Sequence, residues 1–241
     1  MKPETLERAM SATLTVAAVV IAAALVHDEL ASKRALAARG ATSPPEVVAH
    51  WSDVVRAGVL IGDSAAPVKV VEFGDFECPF CRRFEMTYRS VKARFGRSVA
   101  LVFVSYPLTN VHRFAAPADR AASCALAQGR FAEFHDALYD EQDSLGLKSW
   151  GSYADQAGVP DTARFMRCLK NAPDVSALVS AGRAVASQLG VNATPTVLIN
   201  GWRFYRPPSD SELTLATKEI LAGKSPDEVF TNPPFAGARK P

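Results

Sequence analysis

Cysteine is scarce in this chain: 241 residues hold four, which excludes a small disulfide-dense scaffold. A surplus of one charge is also missing. Lys and Arg total 27 against 25 Asp and Glu, a formal net charge of +2. That is too little to mark a nucleic-acid-binding face, so no nucleic-acid partner is expected. Gly 14 and Pro 16 are ordinary counts, which removes collagen-like and low-complexity classes. The four histidines are scattered without the paired spacing of a zinc site, so no metal is expected. No internal repeat is present. What is there is 48% hydrophobic and 22% charged residues. Such a chain folds rather than staying disordered, and its length suits one to two domains.

The long apolar run, Met10 to Val26, carries no charge over 17 residues. A membrane-spanning helix needs about 20 apolar residues, with about 17 as the lower limit, whereas a signal-peptide core has about 7–15. The run reads as an uncleaved signal anchor. The alternatives are a cleaved signal peptide and a buried core helix. Either of the first two exports the rest of the chain, to the periplasmic-type face of a cell envelope or, after cleavage, as a secreted protein. The charged, Ala-rich residues 27–39 extend this helix as a stalk, and Gly40–Pro45 breaks it as a linker. The domain plan is an anchor and linker over 1–46, a folded domain over 47–222 and a flexible Pro-rich tail over 223–241.

Val68–Phe73 and Val99–Tyr106 are short β-branched runs that read as buried strands, and residues 79–95 between them read as a helix ending at Gly96. Strand, helix, strand in that order predicts a parallel pair. Residues 112–190 contain no convincing strand and predict a helical insertion. Thr196–Ile199 is a third strand, Asn200-Gly201 a hairpin turn, Trp202–Tyr205 its partner, and Ser209–Ala222 a final helix. Into this α/β plan falls Cys78-Pro79-Phe80-Cys81, after a strand and at the start of a helix, where C-x-x-C reads as a redox motif. Orphan N–H groups and the positive end of the helix dipole favour a thiolate at Cys78. Pro79 loses no hydrogen bond at the first helical position. Cys78 is expected to be the exposed nucleophile and Cys81 the buried resolving thiol. A half zinc site and an inert cysteine pair are the other readings of the motif alone.

Three segments carry a resemblance to a known family: Phe73–Phe84 around the cysteines, Cys124–Leu138, and Leu189–Thr196 followed by Asn200-Gly201. Over roughly 60–222 the chain resembles the DsbA-like thiol:disulfide oxidoreductases. The resemblance implies a thioredoxin-like fold with an inserted all-helical subdomain, and a cis peptide at Pro195. It also implies that the backbone at Thr194 faces the cysteines and binds a substrate strand. It implies exported proteins with cysteine pairs as substrates, a membrane quinone-linked partner that reoxidises the protein, and no cofactor beyond the cysteine pair. The family carries an acidic residue at the offset of Glu72. Because an isolated buried carboxyl is costly to ionise, Glu72 is read as a proton acceptor or relay for Cys81, against the alternative of a solvent-side position. Asp75 and Glu77 are expected to be exposed, and His112 and His135 to be structural or surface groups.

One departure stands out. Well-known oxidising members have His where this chain has Phe80, so a less depressed Cys78 pKa and a less oxidising potential are expected. In an exported domain the remaining cysteines, Cys124 and Cys168, most simply pair with each other, as in some relatives. Two reduced thiols or a redox relay are the alternatives. The function expected is thiol–disulfide exchange with folding proteins at an envelope membrane. Alternatives are a reductase or isomerase of the same fold, and a non-catalytic tethered binding module or chaperone.

Overall fold

The computed structural model describes residues 20–24, 26–27, 29, 44–172 and 176–235. Contacts divide the chain into Met1–Ser43 and Pro44–Pro241. In the first unit the described residues are helical. No helix among the described residues is long and apolar enough to cross a membrane. Most of the expected anchor over 10–26 and its stalk lies outside the described residues.

In the second unit the apolar β-branched runs form the middle of a six-stranded sheet, ordered β1-β6-β5-β3-β4-β2. Its strands are β1 (Glu46–Val47), β2 (Val59–Ile61), β3 (Val68–Gly74), β4 (Val99–Ser105), β5 (Thr196–Ile199) and β6 (Trp202–Phe204). β3 and β4 are parallel, in register from Val68 opposite Val99 to Gly74 opposite Ser105. The crossover between them is helix α2 (Pro79–Phe95). β5 lies antiparallel on the other side of β3 and turns into β6. Asn200 and Gly201 take positive φ there, 45° and 87°, as a tight hairpin requires. The short edge strands β1 and β2 are too brief to show a period in sequence.

Alternation along β3 assigns its faces. Val71 and Phe73 pack with Val54 of α1 (Trp51–Ala57) and Val185 of α7 (Ala177–Gln188). Val68 and Val70 pack with Phe84 and Val91 of α2 and Leu213 of α8 (Asp210–Leu221). Glu72 shares the parity of Val68 and Val70, which puts it on the α2 side. Gly182 lets α7 close onto β4, because a Cβ there would overlap the Ser105 carbonyl.

Between Ser105 and Thr196 no described residue is in a strand. Helices α3 (Ala115–Leu126), α4 (Phe131–Asp140), α5 (Trp150–Gln156) and α6 (Thr162–Asn171) form their own core around Phe134, Tyr153 and Phe165. This core is continuous with Phe76, Cys78 and Cys81, so the insertion covers the start of α2.

The expected loose tail is corrected. Residues Pro226–Phe230 form helix α9, with a Ser225–Glu228 capping box. Phe230 is fully buried and packs on Trp202, Phe204 and Phe235. Five residues are too few to show helical periodicity, and the flanking prolines resemble a linker. Residues 236–241 lie outside the described residues.

Candidate active site

Cys78 is the residue before the first turn of α2, with extended backbone, and Pro79 opens the helix. Both Cys78 and Cys81 are free thiols. Opposite them the chain enters β5 through a cis Thr194–Pro195 peptide. The Cys78 thiol donates to the Thr194 carbonyl at 3.4 Å. The structure thus brings Cys78, Cys81, Thr194 and Pro195 together from positions over a hundred residues apart. Cys78 is not the exposed group the sequence suggests: only 3% of it is accessible, while Phe80 beside it is 58% exposed. Phe80 forms the outer surface of the motif, with the Arg83 guanidinium 5.5 Å from its ring centre.

The absence of His between the cysteines does not leave Cys78 with an ordinary thiol. Its pKa is lowered to about 5, first by a hydrogen bond from Cys81, then, against the opposing effect of burial, by Thr194 and the N–H groups of Cys81 and Phe80. The Thr194 hydroxyl is buried with no well-formed hydrogen bond. The hydrogen bonds that lower the Cys78 pKa come from the helix start and the cis-proline loop, not from the Phe80 side chain. Cys81 goes the other way, pushed up by burial, by its bond to Cys78 and by Glu72.

Glu72 is fully buried, and neither carboxyl oxygen has a well-formed hydrogen bond. Burial, then the Glu85 carboxyl, raises its pKa well above the ordinary range, while the Cys81 thiol favours the ionised form. A carboxyl whose burial favours its neutral form and which faces a buried thiol can give that thiol a proton or take one. Glu85 was not singled out from the sequence. It lies one turn beyond Cys81 on the same helix face, a spacing that could have flagged it. Its Oε1 accepts from Arg89 Nε at 2.7 Å. One ligand atom each from Glu85, His135 and Asp136 lie within 4.8 Å of one another. The cation among them is Arg89, whose guanidinium also reaches Asp136 at 3.3 Å.

Asp75 is fully buried rather than exposed. Its carbonyl accepts from the Cys78 N–H at 3.0 Å. Its carboxylate accepts from Glu77 N, Leu108 N and His112 Nδ1 at 2.8, 2.8 and 2.7 Å. Glu77 is partly buried and accepts from Phe114 N at 2.5 Å. Gln142, from the insertion, donates to the Phe76 and Cys78 carbonyls at 2.8 and 3.0 Å. His135 is buried and packs edge-on against Phe76, Phe103 and Tyr139. Away from this site, Cys124 of α3 and Cys168 of α6 are joined in a disulfide, with Cα atoms 5.8 Å apart.

A family model described as thioredoxin matches residues 55–219. Among curated relatives, the Na(+)/H(+) antiporter NhaA 1 of Mycolicibacterium gilvum is 38% identical over 163 residues, 67% of this chain and 26% of that protein. The chain thus spans about a quarter of the length of the curated relatives it matches. Among solved structures, a thioredoxin-like oxidoreductase from Silicibacter pomeroyi DSS-3 is similar with a TM-score of 0.59 and 25% identity, over 73% of this chain and all of that one. Oxidised BdbD from Bacillus subtilis gives 0.61 and 20%, over 76% and 98% of the two chains. The thiol-disulfide exchange protein alpha-DsbA2 from Wolbachia pipientis gives 0.56 and 17%, over 70% and 91%. The redox motif at a helix start, the cis-proline loop facing it, the helical insertion and these matches lead to one assignment: the chain belongs to the thioredoxin family, with the inserted helical subdomain of its DsbA-like thiol–disulfide oxidoreductases.

Proposed function

We propose that the protein exchanges disulfides with exported proteins and acts chiefly as a disulfide donor. The observation that carries this reading is the Cys78 sulfur at the start of α2, facing the Thr194 carbonyl, with a pKa lowered to about 5. A thiolate this stable is a good leaving group, and it stabilises the reduced enzyme, which makes the disulfide form an oxidant. In the proposed cycle a substrate thiolate attacks the Cys78 sulfur of the Cys78–Cys81 disulfide. The Cys78–substrate bond forms, the Cys78–Cys81 bond breaks, and Cys81 leaves with the electron pair and takes a proton from Glu72. The substrate's second thiolate then attacks its own mixed-disulfide sulfur and expels Cys78 as a thiolate. The substrate is oxidised and the enzyme is left as the dithiol.

The cysteine pair is the only redox group this cycle needs. Phe80, Thr194 and Pro195 are read as the surface that seats the substrate strand. A groove of about 240 Å³, lined in part by Val191, Pro195, Arg203 and Phe204, continues from that loop. The proposed location is the extracytoplasmic side of the envelope, supported by the Cys124–Cys168 disulfide and by the apolar run over 10–26, which is read as the anchor. A membrane quinone-linked protein is the proposed oxidant. The ion exchange in the relatives' names is not carried to this chain, which shares about a quarter of their length.

The test is oxidative refolding of a reduced two-cysteine substrate. The wild-type disulfide form is expected to oxidise it stoichiometrically, and Cys78→Ala to have no activity. Equal refolding by the two would leave a binding module or chaperone as the reading.

A further inference from the structure

We propose that His112, carried on the loop after β4 and clamped by Asp75, is the cationic partner of the Cys78 thiolate. On this reading, protonation of that imidazole and the redox state of the Cys78–Cys81 pair are linked. The inference rests on Cys78 being the active thiol. Between the cysteines this chain has Phe80, whose side chain offers neither charge nor a hydrogen bond.

The geometry supplies the histidine from elsewhere. Asp75 is the hinge of the arrangement. Its carbonyl holds the Cys78 N–H at 3.0 Å, and its carboxylate holds His112 Nδ1 at 2.7 Å. The His112 loop is stitched to the cysteine loop at two further points, Leu108 N to Asp75 at 2.8 Å and Phe114 N to Glu77 at 2.5 Å. These bonds tie the His112 loop to the loop that leads into Cys78. Its side chain is 19% exposed, so it can exchange protons with solvent. The Asp75 carboxylate is also answered by the N–H groups of Glu77 and Leu108, so the imidazolium charge is not fully neutralised by it.

The ionisable groups facing His112 are Asp75 and Glu77 from the loop after β3 and Cys78 at the start of α2. Burial, and then the Asp75 charge, pushes the Asp119 carboxyl of α3 up to about 8. Arg113, next in sequence, lies over the Phe114 ring at 5.1 Å. Partial burial disfavours the imidazolium, but the Asp75 hydrogen bond and the charges of Asp75, Cys78 and Glu77 outweigh it and raise the pKa above the ordinary value. One of those charges exists only in the reduced protein, since a disulfide sulfur carries none. Coupling between two sites is reciprocal. If the Cys78 thiolate holds a proton on His112, protonated His112 holds Cys78 in its thiolate form to the same extent.

The decisive experiment uses the wild-type protein. The imidazole Cε1–H resonance of His112, assigned by its loss in His112→Gln, is titrated by NMR in the oxidised and the reduced form. The midpoint is expected at higher pH in the reduced form. Identical midpoints would overturn the proposal. In parallel, thiolate absorbance near 240 nm is followed against pH. His112→Gln is expected to weaken Cys78 ionisation about fivefold or more, and His112→Lys, which restores a cation, to recover part of it. Superimposable curves for wild type and His112→Gln would also overturn it. A wild-type Cys78 midpoint at the ordinary value of 9.0 would remove the active thiol itself, and this inference would fall with that reading.

Discussion

At the residue scale the site is a pair of sulfurs driven in opposite directions by their surroundings. Cys78 is offered hydrogen bonds at the mouth of a helix, while Cys81, three residues on, is buried beneath it beside a carboxyl. Alkylation of the reduced protein should therefore label Cys78 alone, with a rate that reaches half its maximum at about pH 5. Mass spectrometry of the labelled peptide checks both points. Glu72 has a pH signature of its own. Its folded pKa is raised, so the stability it confers is complete below the ordinary value of 4.5 and is lost as pH rises towards the folded value. Glu72→Gln should therefore gain on wild type as pH rises, reaching about 1–3 kcal/mol at neutral pH in urea unfolding. It should also slow exchange at Cys81 by about a hundredfold. A variant both more stable and slower distinguishes a proton carrier from a packing residue.

At the scale of elements, the parts that matter most are those that hold the start of α2. The insertion does so through Gln142, and the loop after β4 through His112 and Phe114. α3 and α6 are locked together by Cys124–Cys168, a sequence separation of 44. On the chain-entropy account a loop of that size stabilises by about 4 kcal/mol. Cys124→Ala/Cys168→Ala should lose up to that amount in chemical denaturation while Cys78 keeps its alkylation profile. Helix α9 makes a second prediction, since Phe230 is fully buried against Trp202 and Phe204. Phe230→Ala should destabilise by about 3–5 kcal/mol, measured as the shift of the denaturation midpoint. A free tail would show no change. The elements differ in how legible they are. Helix α2 and strands β3, β4 and β5 can be read from sequence because each has a full apolar period and a clear stop. β1, β2 and α9 span two, three and five residues and have no period to read.

At the scale of the whole molecule, the fold joins segments that sequence cannot align. The cysteine motif and the Thr194–Pro195 turn are each visible alone, and the resemblance to a known family connects them. The Asp75–His112 contact spans 37 positions and Gln142–Cys78 spans 64, and neither carries a local pattern. A buried aspartate before the motif looks like an exposed one until the loop that covers it is placed. On the proposed reading the same long-range contacts bear on the direction of electron flow, because stabilising the Cys78 thiolate of the reduced form makes the disulfide form the better donor. One measurement tests that most directly: the equilibrium of the Cys78–Cys81 pair with glutathione at pH 7. Wild-type protein should show an oxidising potential, closer to about −120 mV than to about −270 mV. A value at or below about −270 mV would mean that the Cys78 thiolate is not stabilised and that the protein is a reductase.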